Sequence, residues 1–170
     1  GMTMTTIPLL TLNDGYRIPA IGFGTYPLDN PQAEAAVREA LAAGYRLFDT
    51  AARYGNESGV GTGLLSFDVG REDIFVTTKL RGADHGFDST LRAFERSLER
   101  LKMSYVDLYL IHWPLPAKDL YVESWKAMIQ LQKDGHVRSI GVSNFLPEHI
   151  QRLIDETGVV PAVNQIEMHV

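Results

Sequence analysis

Short apolar runs alternate with longer stretches of helical periodicity along most of this chain. The runs are rich in β-branched and aromatic residues and predict six β-strands, at residues 21–24, 47–50, 75–78, 108–112, 139–142 and 162–167. Between them, apolar residues three and four positions apart predict five helices, at residues 32–43, 57–65, 88–101, 120–133 and 147–156. The pattern therefore predicts a regular alternation of strand and helix.

Turn and cap residues delimit these elements. Asn13-Asp14-Gly15, between apolar runs at 7–11 and 16–18, predicts a β-hairpin ahead of the main alternation. Pro31 suits a first helical turn, and Asp88 with Ser89 is expected to cap the third helix. Glycines that would stop the first, fourth and fifth helices are Gly44, Gly135 and Gly158. No linker interrupts the series, so residues 1–170 are predicted to form a single domain.

The apolar pattern of the strands and the glycine pattern at the first turn help to decide between an open doubly wound sheet and a (β/α) barrel. Residues 108–111 form a nearly continuous apolar run, which is typical of a parallel strand covered on both faces. A nucleotide-binding open sheet would carry Gly-x-Gly-x-x-Gly at its first strand-to-helix turn, but Gly22 and Gly24 are followed by Pro27 where the third glycine would stand. The sequence therefore favours an α/β fold of the (β/α)8 TIM-barrel type with an N-terminal β-hairpin.

The length sets how much of such a barrel is present. A complete (β/α)8 barrel usually needs ~250 residues, so 170 residues supply about six of the eight β/α units. We expect a C-terminal part of the natural protein to be absent from this chain.

Composition narrows the range of functions. With 45% hydrophobic and 22% charged residues, the chain has the composition of a soluble globular domain. The net charge of −5 and the scattered basic residues argue against nucleic acid or an acidic membrane as the partner. The absence of cysteine excludes disulfides and thiolate chemistry and fits a reducing compartment. These features predict a cytoplasmic protein that acts on a small molecule.

Four polar side chains lie where three successive predicted strands end: Asp49, Tyr54, Lys79 and His112. The carboxyl ends of parallel strands converge on one crevice, so these groups can surround a single ligand. Each also has an ordinary structural explanation, as a turn cap, a loop aromatic, a surface charge and a core histidine, respectively. Their interpretation as a catalytic set therefore depends on the sequence around them.

That surrounding sequence resembles a known family. Residues 44–51, continuing through Tyr54-Gly55-Asn56-Glu57 to Val60-Gly61, resemble the first signature of the aldo-keto reductases. Residues 138–145 resemble a second signature, and 77–80, 110–114 and 164–169 are similar to other landmarks of the family. The likeness is strongest to the bacterial group that includes the 2,5-diketo-gluconate reductases. It implies NADP(H)-dependent reduction of aldehyde or ketone carbonyls.

The chemistry of that reaction fits the four side chains. Carbonyl reduction needs a hydride at carbon and a proton for the developing alkoxide, and a tyrosine with an ordinary pKa of ~10 is a weak acid unless a cation stabilises its phenolate. By the resemblance, Tyr54 is the general acid, Lys79 is that cation, Asp49 is its ion-pair partner, and His112 orients the carbonyl.

The resemblance also implies residues that bind the cofactor and the substrate. Those expected to contact NADP(H) are Gly24, Thr25, Tyr26, Asp49, Ser143, Asn144 and Gln165. The first four face the nicotinamide half and the last three hydrogen-bond its carboxamide. Those expected to line the substrate pocket are Tyr26, Tyr54, His112 and Trp113. Many relatives carry tryptophan where this chain has Arg81, which would make one side of the pocket more polar.

Other functions stay open at this point. Lys79 beside a carboxylate also suits a Schiff-base aldolase. A truncated scaffold that binds the cofactor weakly and turns over nothing is a further alternative. Glu167 and His169 could suggest a metal, but no companion ligand motif accompanies them, so no metal is predicted. We expect a small-molecule carbonyl substrate, no nucleic-acid or membrane partner, and a monomer.

Overall fold

A parallel six-stranded sheet organises the computed structural model, which describes residues 9–167. Its strands are β3 (Gly22–Gly24), β4 (Leu47–Asp49), β5 (Phe75–Leu80), β6 (Val106–Ile111), β7 (Val137–Ser143) and β8 (Asn164–Gln165). They lie in the sheet in the order of the sequence, each paired with the next in parallel register. A doubly wound sheet would reverse this order at a switch point. The sheet instead curls as part of a (β/α)8 barrel, which confirms the predicted fold class.

Five helices form the crossovers between these strands. They are α1 (Asn30–Ala42), α2 (Glu57–Leu65), α3 (Phe87–Leu101), α4 (Tyr121–Lys133) and α5 (Pro147–Thr157). The predicted glycine stops Gly44, Gly135 and Gly158 have φ of +102°, +80° and +72°, as expected for chain reversal after a helix. The predicted cap of α3 was wrong. Gly86 takes the cap position, and Ser89 donates from Oγ to the carbonyl of His85 at 2.8 Å instead.

The predicted hairpin is present ahead of the barrel. Strand β1 (Leu9–Thr11) pairs antiparallel with β2 (Arg17–Pro19), and the amide of Leu12 donates to the carbonyl of Tyr16 at 2.7 Å across the turn. Residues 7 and 8 of the predicted first strand lie outside the described part of the chain.

The main core lies between the sheet and the helices. Trp125 and Met128 on α4 are completely buried in it, as helical spacing predicts. In the same core, the rings of Phe94 and Tyr109 pack with centroids 4.9 Å apart, joining α3 to β6. This packing holds the strands in register and brings their C-terminal ends together.

Glycines in α2 allow backbone-to-backbone contact with the neighbouring helices. A Cβ at Gly59 would lie 2.2 Å from the carbonyl oxygen of Asn30, and one at Gly61 would lie 2.4 Å from that of Leu101. Both distances are far shorter than van der Waals contact, so α2 can approach only where a side chain is missing.

Gly59→Ala and Gly61→Ala are each expected to destabilise the protein by about 1–3 kcal/mol, because the added methyl group must push two backbones apart. Alanine would otherwise stabilise a helix relative to glycine by up to ~1 kcal/mol. Urea unfolding measures the change, and Ser58→Ala in the same helix serves as the control. Unchanged or increased stability of the glycine variants would contradict the packing argument.

His85 makes the fold sensitive to acid. It is buried in the loop after β5, where the backbone of Trp113 is its nearest hydrogen-bonding group. Burial, and secondarily the charge of Lys118, lowers the pKa of His85 from 6.5 to about 4. The unfolded chain therefore binds a proton at a higher pH than the folded chain does.

Stability is expected to fall by about 2 kcal/mol as the pH is lowered from 6.5 to about 4, after allowance for partial solvent screening. His85→Gln should flatten this part of the profile in pH-dependent urea unfolding, whereas His136→Gln, at an exposed position, should leave it unchanged. Equal slopes in the two variants would refute the assignment.

Candidate active site

Three of the four predicted strand-end residues, Asp49, Tyr54 and Lys79, meet at the amino group of Lys79, and His112 packs edge-on against Tyr54 with ring centroids 5.8 Å apart. The Nζ of Lys79 pairs with Asp49 and donates to the carbonyl of Thr50 at 3.0 Å and to the hydroxyl of Tyr54 at 3.4 Å. Asp49 ends β4, Tyr54 ends a 3-10 turn (Ala52–Tyr54), and His112 directly follows β6. Three separate β/α units therefore supply one cluster at the C-terminal end of the sheet.

Strand alternation directs Lys79 into this cluster. Neighbouring residues of a strand point to opposite faces, so Thr78 points the other way. There its hydroxyl donates to the buried carboxylate of Glu57 at 2.7 Å, and Arg100 pairs with the same carboxylate at 2.6 Å. These contacts anchor β5 to α2 and α3 from outside the sheet. The Lys79 side chain, which is only 1% exposed, is thereby held facing inward.

The hydroxyl of Tyr54 has a raised pKa. Burial, then the charges of Asp49 and Glu167, raises the pKa of Tyr54 far above its ordinary value of 10. The ammonium of Lys79 lies 5.1 Å from the centroid of the tyrosine ring, in addition to its contact with the hydroxyl. The hydroxyl is therefore protonated near neutral pH, with a cation beside it that would stabilise the phenolate after proton transfer.

Glu167 joins the cluster and was not among the predicted site residues. Its Oε1 accepts a hydrogen bond from the Tyr54 hydroxyl at 3.1 Å and lies 2.9 Å from His112 Nε2 and 3.6 Å from Lys79 Nζ. The sequence carried one signal for it: residues two apart on a strand share a face, and Glu167 follows Gln165 by two. One carboxylate oxygen thus contacts three of the four predicted catalytic groups.

The histidine and the glutamate influence each other's protonation. Burial lowers the pKa of His112, and the adjacent Glu167 carboxylate opposes the shift only in part. Burial acts to raise the pKa of Glu167, but contact with His112 and the charge of Lys79 outweigh it, so that pKa is lowered. A neutral imidazole beside an ionised carboxylate is the state expected near neutral pH.

The loop after β3 forms one wall of the cleft. Thr25 donates from its amide and its hydroxyl to the carbonyl of Asp49 at 3.2 and 3.0 Å. Tyr26 is more than half exposed, and its ring centroid lies 5.2 Å from that of Tyr54. A Cβ at Gly24 would meet no atom within 4 Å, so the chain is open to the cleft there.

The second group of predicted cofactor residues lies where β7 and β8 end. Ser143 donates from Oγ to the carbonyl of Gln165 at 2.8 Å, and Asn144 donates from Nδ2 to the carbonyl of His112 at 3.1 Å. Gln165 donates from Nε2 to Asp49 Oδ2 at 2.6 Å, which joins this group to the lysine cluster. Its Oε1 is buried and has no hydrogen-bond partner among residues 9–167.

A cleft of about 500 Å³ opens over these groups. The residues that line it are Ala20, Gly22, Gly24, Thr25, Tyr26, Leu47, Asp49, Tyr54, Lys79, Gln165 and Glu167. The other predicted site residues, Ser143, Asn144, His112 and Trp113, are not part of this lining; the Trp113 ring stacks on His112 with centroids 6.0 Å apart. Arg81 pairs with Asp84 at 2.8 Å and does not line the cleft.

Two further observations concern metals and membranes. Within residues 9–167, no group of three or more histidine, aspartate or glutamate side chains is arranged to hold a metal ion. His169, considered with Glu167 as a possible ligand, lies outside these residues. None of the helices in the described range has the length and apolar character needed to cross a bilayer.

The chain belongs to the aldo/keto reductase family, whose sequence model matches residues 20–170. The methylglyoxal reductase DkgA of Escherichia coli (strain K12) is 50% identical over 166 residues, which are 98% of this chain and 60% of that protein. The chain thus spans about three fifths of the length of the curated relatives it matches. The predicted family, and the likeness to its bacterial diketo-gluconate reductase group, are confirmed.

Solved structures agree with this assignment. An aldo/keto reductase from Brucella melitensis has 54% sequence identity and a TM-score of 0.93, over 96% of this chain and 64% of its own. A Bombyx mori aldo-keto reductase in complex with NADP has 39% identity and a TM-score of 0.87, over 96% of this chain and 59% of its own.

Proposed function

We propose that this protein reduces the carbonyl group of small aldehydes or ketones with NADP(H), with Tyr54 as the general acid. The observation that carries the proposal is the convergence of three groups on one oxygen, that of Glu167. A tyrosine hydroxyl, an imidazole nitrogen and an ammonium lie 3.1, 2.9 and 3.6 Å from it. Carbonyl reduction requires this set at the substrate oxygen, where negative charge develops.

The residues beside the cleft fit a nicotinamide. The buried Oε1 of Gln165 needs a donor, and a carboxamide NH₂ supplies one. Ser143 and Asn144 lie directly behind Gln165, and Gly24, Thr25, Tyr26 and Asp49 would face the ring. When bound, NADPH supplies the hydride. Amide contacts from these residues would fix the ring orientation, and the open backbone at Gly24 leaves room for close approach.

The proton would come from the tyrosine. The Tyr54 hydroxyl transfers its proton to the substrate oxygen as that oxygen gains charge, and the phenolate left behind is stabilised by Lys79. Asp49 pairs with the ammonium and holds it beside the phenol. His112, neutral at physiological pH, donates a hydrogen bond from Nε2 to the same oxygen and orients the carbonyl. A substrate entering this position must displace the Glu167 carboxylate.

Substrate size follows from the cleft. Tyr26 forms its exposed wall and Trp113 lies behind His112, so the oxygen position is accessible to small, unbranched carbonyl compounds. The E. coli relative that is 50% identical carries the name methylglyoxal reductase, which supports a small dicarbonyl as the test substrate. Because Arg81 is paired with Asp84 outside the cleft lining, it gives no support for an anionic substrate.

The aldolase alternative is disfavoured by the surroundings of Lys79. Imine formation needs a free amine that can reach the substrate carbonyl, but Nζ is already held by three acceptors, Asp49, Thr50 and Tyr54. Borohydride treatment in the presence of substrate is expected to leave the mass of the protein unchanged. A reduced adduct on Lys79 would instead support the aldolase.

The proposal is tested by NADPH consumption, followed at 340 nm, with methylglyoxal and glyceraldehyde as substrates. NADPH binding is measured in parallel by quenching of tryptophan fluorescence. We expect saturable binding and substrate-dependent oxidation of NADPH. Binding without turnover would support the alternative of a cofactor-binding scaffold, and the absence of both would contradict the proposal for this chain. We also propose that the protein is a cytoplasmic monomer, which size-exclusion chromatography tests for oligomeric state.

A further inference from the structure

Asn56 is completely buried between two loops that carry predicted site residues. Its Nδ2 donates to the carbonyls of Thr25 and Leu28 at 2.9 and 3.0 Å, and its Oδ1 accepts from the hydroxyl of Thr50 at 2.6 Å. Both amide hydrogens and the amide oxygen are therefore used. The partners lie up to 31 residues away in sequence.

The location of Asn56 makes this arrangement unusual. It is the residue directly before α2, where an asparagine side chain normally accepts a hydrogen bond from its own helix. Here the side chain makes no such bond. The local cap, worth about 1 kcal/mol in other proteins, is given up for contacts with a distant loop.

The contacts of Asn56 bracket Tyr26. The two carbonyls that it binds belong to Thr25 and Leu28, on either side of this tyrosine, whose ring packs 5.2 Å from that of Tyr54. On its other side, Asn56 holds Thr50, whose carbonyl accepts from Lys79. One amide thus ties the wall of the cleft to the strand end that carries the proton-transfer groups.

We propose that Asn56 is a positioning residue that sets the separation between the Tyr26 wall and Tyr54. This separation would in turn determine where the nicotinamide ring binds. Asn56 does not line the cleft, so it would act only through the loop. An amide side chain is required at this position. Its NH₂ group supplies donors for the carbonyl oxygens of Thr25 and Leu28, and its oxygen accepts from the hydroxyl of Thr50. The effect on cofactor binding rests on the proposed function, whereas the effect on the loop does not.

Asn56→Asp tests this with almost no change in shape. One carboxylate oxygen still accepts the hydrogen bond from the Thr50 hydroxyl. The other oxygen replaces the amide donor and faces the carbonyl oxygens of Thr25 and Leu28, which then have no donor and are repelled. We expect residues 24–29 to exchange amide hydrogen faster, and the Kd for NADPH to rise about tenfold, as for loss of a buried hydrogen-bond pair. KM should rise with it, while kcat changes less than about threefold, because Tyr54, Lys79 and His112 keep their contacts.

Matched variants isolate the cause. Asn30→Asp makes the same chemical change at an exposed position, where Oδ1 still accepts from the amide of Gly59, and should alter neither exchange nor affinity. Thr50→Val removes only the hydroxyl partner and leaves both amide donors of Asn56 in place, so residues 24–29 should stay protected. Asn56→Ala, which introduces no charge, repeats the measurement if the aspartate variant does not fold.

The outcomes separate the inference from the proposed function. Faster exchange confined to residues 24–29 supports the positioning role even if the unaltered protein binds no NADPH, a result that would count against the function alone. Unchanged exchange and affinity in both Asn56 variants would overturn the role. So would faster exchange spread evenly over the chain, which marks a purely structural residue, or a fall in kcat at constant KM.

Discussion

Tyr54→Phe is expected to lower kcat for carbonyl reduction by roughly 10²–10⁴-fold and to leave the Kd for NADPH within about twofold. The substitution removes the hydroxyl that is proposed to protonate the substrate oxygen, but it keeps the ring that packs against Tyr26. Stopped-flow measurement of NADPH oxidation gives the rate of the chemical step.

Tyr45→Phe is the matched control for this experiment. Tyr45 packs edge-on against Phe23 with ring centroids 5.6 Å apart, away from the cleft lining, so loss of its hydroxyl should leave kcat unchanged. Retained turnover in Tyr54→Phe would remove Tyr54 from its role as the acid. A loss of NADPH binding in that variant would instead indicate that the hydroxyl is needed for the shape of the site.

Lys79→Met is expected to lower the free energy of unfolding by about 3–5 kcal/mol and to abolish reduction. Methionine fills a similar volume, but it leaves the carboxylates of Asp49 and Glu167 facing each other without the ammonium that contacts both. Removing one partner of a buried ion pair leaves an uncompensated charge, which is the costly case. Urea unfolding measures the loss of stability, and NADPH oxidation measures the loss of turnover.

A double variant separates stability from chemistry at this position. Adding Asp49→Asn to Lys79→Met removes one of the uncompensated charges and should recover part of the stability but none of the activity. Lys126→Met is the control, because Lys126 pairs with Glu123 on an exposed helix face and such pairs contribute little. If Lys79→Met unfolds at the same urea concentration as the unaltered protein, the buried-charge argument is wrong.

Much of the fold could be predicted because its signals are local. The alternation of apolar runs and helical periods requires only neighbouring residues, and the glycine stops after α1, α4 and α5 follow from backbone sterics. Prediction was less accurate where pairing between strands decides the outcome. Strand β5 continues through Lys79 to Leu80, because these residues pair with Leu110 and Ile111 of β6, although a lysine by itself suggests that the strand has ended.

The residues of the site likewise fall into those that could be predicted from sequence and those that could not. The four strand-end residues were predicted from their positions and from family signatures, and the structure brings them together, while their catalytic roles remain predictions. Glu167 was missed as a member of the cluster because it is 113 residues from Tyr54, and its spacing of two from Gln165 was the one local signal that could have placed it there. Asn56 precedes a helix and by local rules would cap it, yet its side chain bonds across to the loop at Thr25.

The sequence by itself determined the order of strands and helices, the barrel-type fold, the family, and the identity of four candidate catalytic side chains. These follow from periodicity, turn chemistry and motifs, all of which are properties of residues close together in the chain. The tertiary structure alone decided that Lys79 is buried against two carboxylates, that Glu167 contacts Tyr54, Lys79 and His112, and that Asn56 ties the Tyr26 loop to the site. Burial, charge pairing and hydrogen-bond distance depend on how elements that are distant in sequence pack together. They cannot be predicted from the residues that are close together in the chain.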